Sequence, residues 1–399
     1  MTDQRWKAEY KRSLVPTFNP SEVLSYGSGS HVYSESGKSY LDFLGGIAVN
    51  SLGHNHPDLV AAVSTQAAQM IHVSNLFASR PQIELAETII RHAGVGESAR
   101  VFFANSGTEA NEAAFKLARL HGGTARPRIL SLENSFHGRS MGALALTGKP
   151  ALHAPFEPMP AGVVHIPATL EALELALGGA DASEVAAIIV EPIQGEDGVH
   201  PLPHGYLQRA RELTTRAGAL LIIDEIQTGV ARTGSWFAFQ HEGIIPDAFT
   251  LAKGLGGGVP VGALVTVGQA STLFTPGSHG TTFGGNPLAT AAAKTVLDVI
   301  ERDDLVAAAR VRGAEITDHI LTLNSPFIEG VRGSGLLLGI ALTRPVAQQL
   351  VAAALECGLI INAPNPSTLR LAPPLTVTPD DTAEFRVKLG RALTLLEDS

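Results

Sequence analysis

The sequence predicts an α/β fold: a large domain on a mostly parallel sheet, joined to a smaller α+β domain. Three observations lead there. The chain has 399 residues, 45% hydrophobic and 17% charged, which is enough material for two buried cores. Short apolar runs, apolar at successive positions, alternate with segments whose apolar residues recur every three to four positions. Where each apolar run ends, unusual polar residues follow, and ligands bind outside the carboxyl ends of the strands in open α/β sheets.

The elements follow in chain order. "MTDQRWKAEYKRSLVPTFN" has charges throughout and no apolar core, so it predicts an arm and not a signal peptide. Residues 1–52 are expected to form this arm and part of the smaller domain, 53–301 the large domain and 302–399 the C-terminal small domain. In the large domain "ARVFFANSG" (99–107), "RILSLENSFHG" (128–138), "VAAIIVEPI" (185–193), "ALLIIDEIQTG" (219–229) and "DAFTLAKG" (247–254) predict buried parallel strands. "EANEAAFKLARLH" and "GYLQRARELTTRAG" predict amphipathic helices, the second stopped by its glycine. "GGNPLATAAAKTVLDVIERDD" is a long helical pattern leading out of the large domain. Beyond it "VRGSGLLLGIALT" and "LIINAPNPSTLRLAPPLTV" predict two strand-like segments before a last helix.

Composition excludes several classes of function. The net charge of −9 arises from 38 acidic and 29 basic residues without a block of like charge, which disfavours nucleic acid and anionic membranes as partners. No apolar run approaches the ~20 residues that span a bilayer. Cys357 is the only cysteine, so there is no internal disulfide and no multi-cysteine metal site, and a reducing compartment, the cytoplasm, is expected. His54 and His56 in "HNHP" lack a companion cluster at ligand spacing, so no metal is expected and a turn role suits them better.

The strand-end residues are Asn105 to Thr108, Phe136 and His137, Glu191, Asp224 and Gln227, and Lys253. Lys253 is the only charge in "TLAKGLGGGVPVGALVTVG"; an amine among apolar neighbours loses hydration and gains nucleophilicity, unless it reaches past them to solvent. Ser106, Gly107 and Thr108 open a helix, where hydroxyls, free N–H groups and the dipole suit a phosphate, although plain capping would look the same. Neither glycine-rich run is a nucleotide loop: Val32 stands where a phosphate loop ending at Gly37–Lys38–Ser39 needs glycine, and Val259 breaks the dinucleotide pattern in "GLGGGVP". Asp224, at a strand end, could keep a heteroaromatic nitrogen protonated, and Phe136 could lie on a flat ring. A buried amine, an acid for a pyridine nitrogen, a phosphate-suited helix start and a stacking aromatic together point to pyridoxal 5'-phosphate, with Lys253 as its Schiff-base partner.

The motifs "LDFLGGIAVNSLGHNHP", "HVSNLF", "FFANSGTEANEAAFKLAR", "FHGRSMGALALTG", "EPIQGEDGV", "DEIQTGVARTG", "LAKGLGGGVPVGA", "HGTTFGGNPLA", "RGSGLLLGI" and "LRLAPPL" run from about residue 40 to about 375. By them the chain resembles the class III (ω-amino acid) aminotransferases, which have the aspartate aminotransferase-type fold (pyridoxal-phosphate fold type I). The resemblance implies that Ser106, Gly107 and Thr108 hold the cofactor phosphate, Phe136 stacks on its ring, Asp224 pairs with its nitrogen, Gln227 approaches its 3-hydroxyl and Lys253 carries the proton. Glu225 and Ile226 are implied beside Asp224 in the cofactor site. It further implies a homodimer with shared sites, in which Thr282 reaches the phosphate and Thr281 the substrate of the neighbouring subunit. Arg139 would grip the donor carboxylate far from the reacting amine, Arg370 the α-carboxylate of glutamate or 2-oxoglutarate, and Glu196 would pair with Arg370 when that carboxylate is absent. Within the family the motifs lie nearest members that move the δ-amine of N2-acetylornithine to 2-oxoglutarate. Ornithine, succinylornithine or 4-aminobutyrate as donor, a same-fold aminomutase, and a cofactor-binding regulator stay open. One departure is "GVARTG", where the family pattern has glycine at Ala231.

Overall fold

Strands buried on both faces have no reason to alternate polar and apolar residues, and Val185–Val190 and Leu220–Asp224 are buried at every position. In the computed structural model, which describes residues 4–397, they sit side by side near the middle of a seven-stranded sheet. The first three residues of the expected arm and the last two of the expected C-terminal domain lie outside the described residues. The sheet order is Arg100–Ala104, Gly262–Thr266, Ala248–Leu251, Leu220–Asp224, Val185–Val190, Arg128–Leu132, Val163–Ile166. Gly262–Thr266 runs antiparallel to both neighbours, and the other adjacent pairs are parallel.

All five expected strands of this sheet are present. The two additional ones lacked a clear pattern: Val163–Ile166 is a short, half-exposed edge strand, and Gly262–Thr266 lies in the glycine-rich stretch after the lysine. The helix Gly107–Gly122 lays Ala113, Ala114, Leu117 and Ala118 on the sheet residues Ile129, Ala187, Ile189 and Leu220. Helix Tyr206–Ala217 ends at Gly218 in the left-handed region, φ 68°, the C-terminal stop its sequence predicted. Asn286 caps helix Pro287–Arg302 by accepting from the Ala289 N–H at 2.9 Å.

The C-terminal part is more divided than its sequence suggests. "VRGSGLLLGIALT" folds back at Gly335 into the hairpin Ile328–Ser334 with Leu337–Leu342. The other run breaks into Leu359–Ile360, Asn362–Asn365 and Thr368–Leu371; Pro366 lies in the turn between the last two, and Pro364 falls within Asn362–Asn365, an edge strand. Leu359–Ile360 leaves its neighbours and pairs in parallel with Ser39–Asp42, so residues before 52 and after 302 share a sheet. Stacked Phe43 and Phe385 rings, 4.5 Å apart, seal that joint.

Two loops next to the sheet ends carry strain. Gly45, Gly46, Ile47 and Ala48 all have positive φ, a left-handed turn disfavoured most at a β-branched residue such as Ile47. Val230 and Ala231 also have positive φ, 58° and 65°. The glycine expected at Ala231 is thus the residue the backbone favours there, and alanine tolerates the conformation inside a fully buried loop.

Candidate active site

The parallel strands release the chain along one edge of the sheet, and the segments after them line a common cavity of about 450 Å³. Its walls carry Ser106, Gly107, Thr108, Phe136, Arg139, Glu196, Asp224, Ile226, Gln227 and Lys253, together with Asn105, His137 and Glu191. Residues up to about 150 positions apart therefore meet for the reason the sheet topology gives.

Asp224 is buried, and three donors hold its carboxylate. Oδ2 accepts from Asn111 Nδ2 at 2.8 Å and His137 Nδ1 at 2.7 Å, and Oδ1 accepts from the Ile226 N–H at 3.0 Å. Burial opposes a charged His137, but the hydrogen bond and charge of Asp224, with Glu191 nearby, outweigh it and raise the His137 pKa. Three donors thus stand in for water around the Asp224 carboxylate in a dry place. Glu191 has less help: burial pushes its carboxyl up to about 7 although His137 opposes this, and its Oε2 accepts from the Phe136 N–H at 2.9 Å.

Lys253 follows strand Ala248–Leu251 and begins a short 3₁₀ turn with φ 42°, a left-handed conformation costing roughly 1–2 kcal/mol in a non-glycine residue. Ser51 Oγ, donating to the Gly254 carbonyl at 2.9 Å, secures the turn. The Lys253 amine has no hydrogen-bond or ion-pair partner among the described residues. Burial brings its pKa down to about 8, partly offset by Glu196.

Ser106 caps helix Gly107–Gly122 by accepting from the Glu109 N–H at 3.3 Å. The first-turn amides of Gly107 and Thr108 lack intrahelical acceptors, as at any helix start, and both residues line the cavity. A Cβ at Gly107 would stand 2.8 Å from Ile226, so glycine lets the helix start press against that wall. Thr108 Oγ1 lies 2.6 Å from Ser140 Oγ and accepts from the Arg139 N–H at 3.2 Å, which ties the helix start to the loop carrying Arg139. The Arg139 guanidinium stands 5.5 Å from the centre of the Phe136 ring.

Arg370, on strand Thr368–Leu371, is fully buried behind the cavity. Its Nη1 donates to Glu196 Oε1 at 2.5 Å and Gln227 Oε1 at 3.2 Å, and its Nε to Asn362 Oδ1 at 3.2 Å. Nη2 has no partner. Burial works against the Glu196 charge, but Arg370 and then Lys253 outweigh it and lower its pKa.

Three expected residues stand apart from the cavity. Glu225 turns its carboxylate to the other side of the strand end, where Thr228 Oγ1 donates at 2.6 Å and the Phe239 N–H at 2.8 Å, so its side chain is not available to a ligand there. The alternation of a strand explains this: if Asp224 faces the site, its neighbour faces away. Thr281 and Thr282 line a separate cavity of about 260 Å³ with Glu109, Glu112 and His279, and Asn105 lies in the wall of both. Asn111 and Asn362 were missed by sequence reasoning. Asn111 left a trace, a polar residue on the buried face of an otherwise small and apolar helix stripe. Asn362 left none, since its role follows from strand register opposite Arg370.

These residues fit pyridoxal phosphate. The cavity offers an unpartnered buried amine, a carboxylate held by three donors, an aromatic face and helix amides suited to a phosphate. Among the described residues no group of His, Cys, Asp and Glu could hold a metal ion, and no helix is long and apolar enough to cross a membrane.

The family described as aminotransferase class-III matches residues 17–393. The acetylornithine aminotransferase of Mycolicibacterium smegmatis is 50% identical over 397 residues, covering 99% of each chain. That of Streptomyces coelicolor is 48% identical over 387 residues, covering 96% of this chain and 94% of the relative. Among solved structures, the ornithine aminotransferase of Toxoplasma gondii superposes with a TM-score of 0.94 over 100% of this chain and 96% of that chain at 31% identity. The acetylornithine aminotransferase of Elizabethkingia anophelis does so with a TM-score of 0.88 at 34% identity, over 98% of each chain. The sheet and its strand-end lysine define a pyridoxal-phosphate enzyme of fold type I. The chain belongs to the class III aminotransferases.

Proposed function

We propose that this chain transfers the δ-amino group of N2-acetyl-L-ornithine to 2-oxoglutarate, leaving N-acetyl-L-glutamate 5-semialdehyde and L-glutamate, a step of arginine biosynthesis. The observation that carries the two-substrate reading is Glu196 Oε1 at 2.5 Å from the buried Arg370 fork. Identity of about 50% to relatives named for acetylornithine supports the donor. The test is full turnover with both substrates, the aldehyde identified by mass spectrometry. A product formed without 2-oxoglutarate would mark an aminomutase instead.

Pyridoxal phosphate, when bound, supplies an aldehyde that condenses with amines and a protonated ring that draws electrons from the adjoining bond. The residues do the rest. Ser106, Gly107 and Thr108 bind its phosphate, Phe136 covers the ring, Gln227 faces its hydroxyl, and Ile226 closes the wall against Gly107. Asp224 would pair with the ring nitrogen, and His137 and Asn111 hold its carboxylate in place by their hydrogen bonds. Lys253 Nζ would carry the proton between the amine-bearing carbon of the substrate and the cofactor carbon. Arg139 binds the donor's carboxylate; Arg370 binds the α-carboxylate of glutamate or 2-oxoglutarate once Glu196 swings away, and its unpartnered Nη2 completes a bidentate grip.

The Lys253 amine reacts only when neutral. With its pKa brought down from 10.5 to about 8, the neutral form is the minor one below about 8 and the major one above it. Reconstitution of cofactor-free protein with pyridoxal phosphate should accelerate about ten-fold per pH unit below 8 and level off above it. Stopped-flow absorbance checks this; a rate still climbing ten-fold per unit beyond pH 10 would contradict it. Arg139→Ala should raise the KM for N2-acetylornithine about 10- to 100-fold, with Arg139→Lys recovering only part, in steady-state assays.

Thr281 and Thr282 serve the site of a second copy of the chain in this reading, and the enzyme is a homodimer. Mixing two inactive variants, Lys253→Ala and Thr282→Asp, under subunit exchange should restore roughly a quarter of wild-type activity, since one heterodimer site carries neither lesion. Exchange without recovery would refute the sharing. The domain division at about 52 and 302 and a cytoplasmic location belong to the same proposal; limited proteolysis and cell fractionation test them.

A further inference from the structure

One short strand touches both ends of the Glu196–Arg370 pair. Asn362–Asn365 is the edge strand of the C-terminal sheet, bonded only to Thr368–Leu371. Asn362 lies opposite Arg370 and Asn365 opposite Thr368, with an irregularity between them, where Pro364 sits. Asn362 Oδ1 accepts from Arg370 Nε at 3.2 Å and so steadies the guanidinium from the side. Asn365 Nδ2 donates to the Asp197 carbonyl at 2.6 Å, one residue beyond Glu196.

That carbonyl is the middle one of three in succession. Lys149 Nζ donates to the Glu196 carbonyl at 2.8 Å, and Arg332 Nε to the Gly198 carbonyl at 2.8 Å. Gly198 has φ 122°, and a Cβ there would fall 2.5 Å from Asn365 Nδ2 and 2.9 Å from Arg332 Nη2. Only glycine lets this loop lie so close to the donors. With its backbone tied at three neighbouring carbonyls, the loop has little freedom, and Glu196 leaves Arg370 by turning its own side chain.

We propose that Asn362 and Asn365 are positioning residues that set the balance of the Glu196–Arg370 pair, and through it the relative use of α-amino dicarboxylates and terminal-amine substrates. This rests on the two-substrate reading above. Asn365 favours the closed pair, because it keeps Glu196 opposite the arginine. Asn362 favours the open arginine as a carboxylate receptor, because it keeps the fork's plane fixed after Glu196 has gone. Removing the two should therefore move the substrate ratio in opposite directions, although they stand three positions apart on one strand.

The test measures single-turnover half-reactions of the holoenzyme with N2-acetylornithine and with L-glutamate, for wild type, Asn362→Ala, Asn365→Ala and Glu196→Ala. Calorimetric binding of glutarate, a dicarboxylate that does not react, runs beside them. In Asn365→Ala the glutamate-to-acetylornithine ratio of kcat/KM should rise about five-fold and glutarate should bind about five-fold tighter, the effect of one side-chain hydrogen bond. In Asn362→Ala the ratio should fall and glutarate weaken by about the same factor. Parallel loss in both half-reactions, a shift of the same sign in both variants, or an unmoved ratio overturns the inference while Glu196→Ala still shifts it. If Glu196→Ala leaves the ratio unmoved as well, the two-substrate reading falls and this inference with it. Both asparagines are half-buried and outside the apolar core, so the variants should fold.

Discussion

Lys253→Ala is expected to lower turnover by about 10⁴-fold or more, the upper range for loss of a positioned acid–base group. It should also leave pyridoxal phosphate bound only non-covalently. Lys253 is the one lysine in the cavity wall among the described residues, so no second amine stands ready to take its place. The variant should fold, because the amine has no hydrogen-bond or ion-pair partner to lose and because alanine relieves the cost of a buried, poorly hydrated ammonium. Visible absorbance after gel filtration and a single-turnover assay measure both effects. A retained visible band with near-normal turnover would remove Lys253 from the chemistry.

The second large effect is expected from Asp224→Asn, with kcat falling about 10²- to 10³-fold, typical when a preorganised electrostatic partner is lost. The amide keeps the shape of the side chain but not its charge, so in the proposed mechanism a ring nitrogen bound there would lose the partner that favours its protonated form. His137 should respond too. Without the Asp224 charge, only Glu191 is left to oppose burial, and the His137 pKa should fall. Asp224→Ala should cost more stability than Asp224→Asn, by about 3 kcal/mol, because the buried donors of His137 and Asn111 then face no acceptor. Steady-state kinetics, thermal melting and NMR titration of His137 read the three effects. A kcat within a factor of ten of wild type would place Asp224 away from the ring nitrogen.

Much of this site was legible before the structure because a parallel sheet writes it into the sequence. Val185–Val190 and Leu220–Asp224 read as unbroken apolar runs, and the polar residues ending them had one reason to be there. Lys253 was visible as a charge without company. Glu225 was not legible, since two adjacent carboxylates look alike in a sequence while the backbone sends them to opposite sides. The strand Gly262–Thr266 hid in a glycine-rich stretch, and its antiparallel direction comes from pairing with Arg100–Ala104, more than 150 positions earlier. Asn362 and Asn365 could not be found either: register and an edge position give them their partners, and neither is a local property.

The choice of amino donor is where fold alone is silent, since an ornithine aminotransferase superposes with a TM-score of 0.94 and an acetylornithine aminotransferase with 0.88. The measurement that tests the central claim most directly is the half-reaction of the purified holoenzyme with N2-acetylornithine, ornithine, succinylornithine and 4-aminobutyrate, each followed to loss of the visible band in a single turnover. The account predicts the highest kcat/KM for N2-acetylornithine, whose carboxylate Arg139 binds while Glu196 keeps Arg370 closed. Faster reaction with ornithine or 4-aminobutyrate would contradict it.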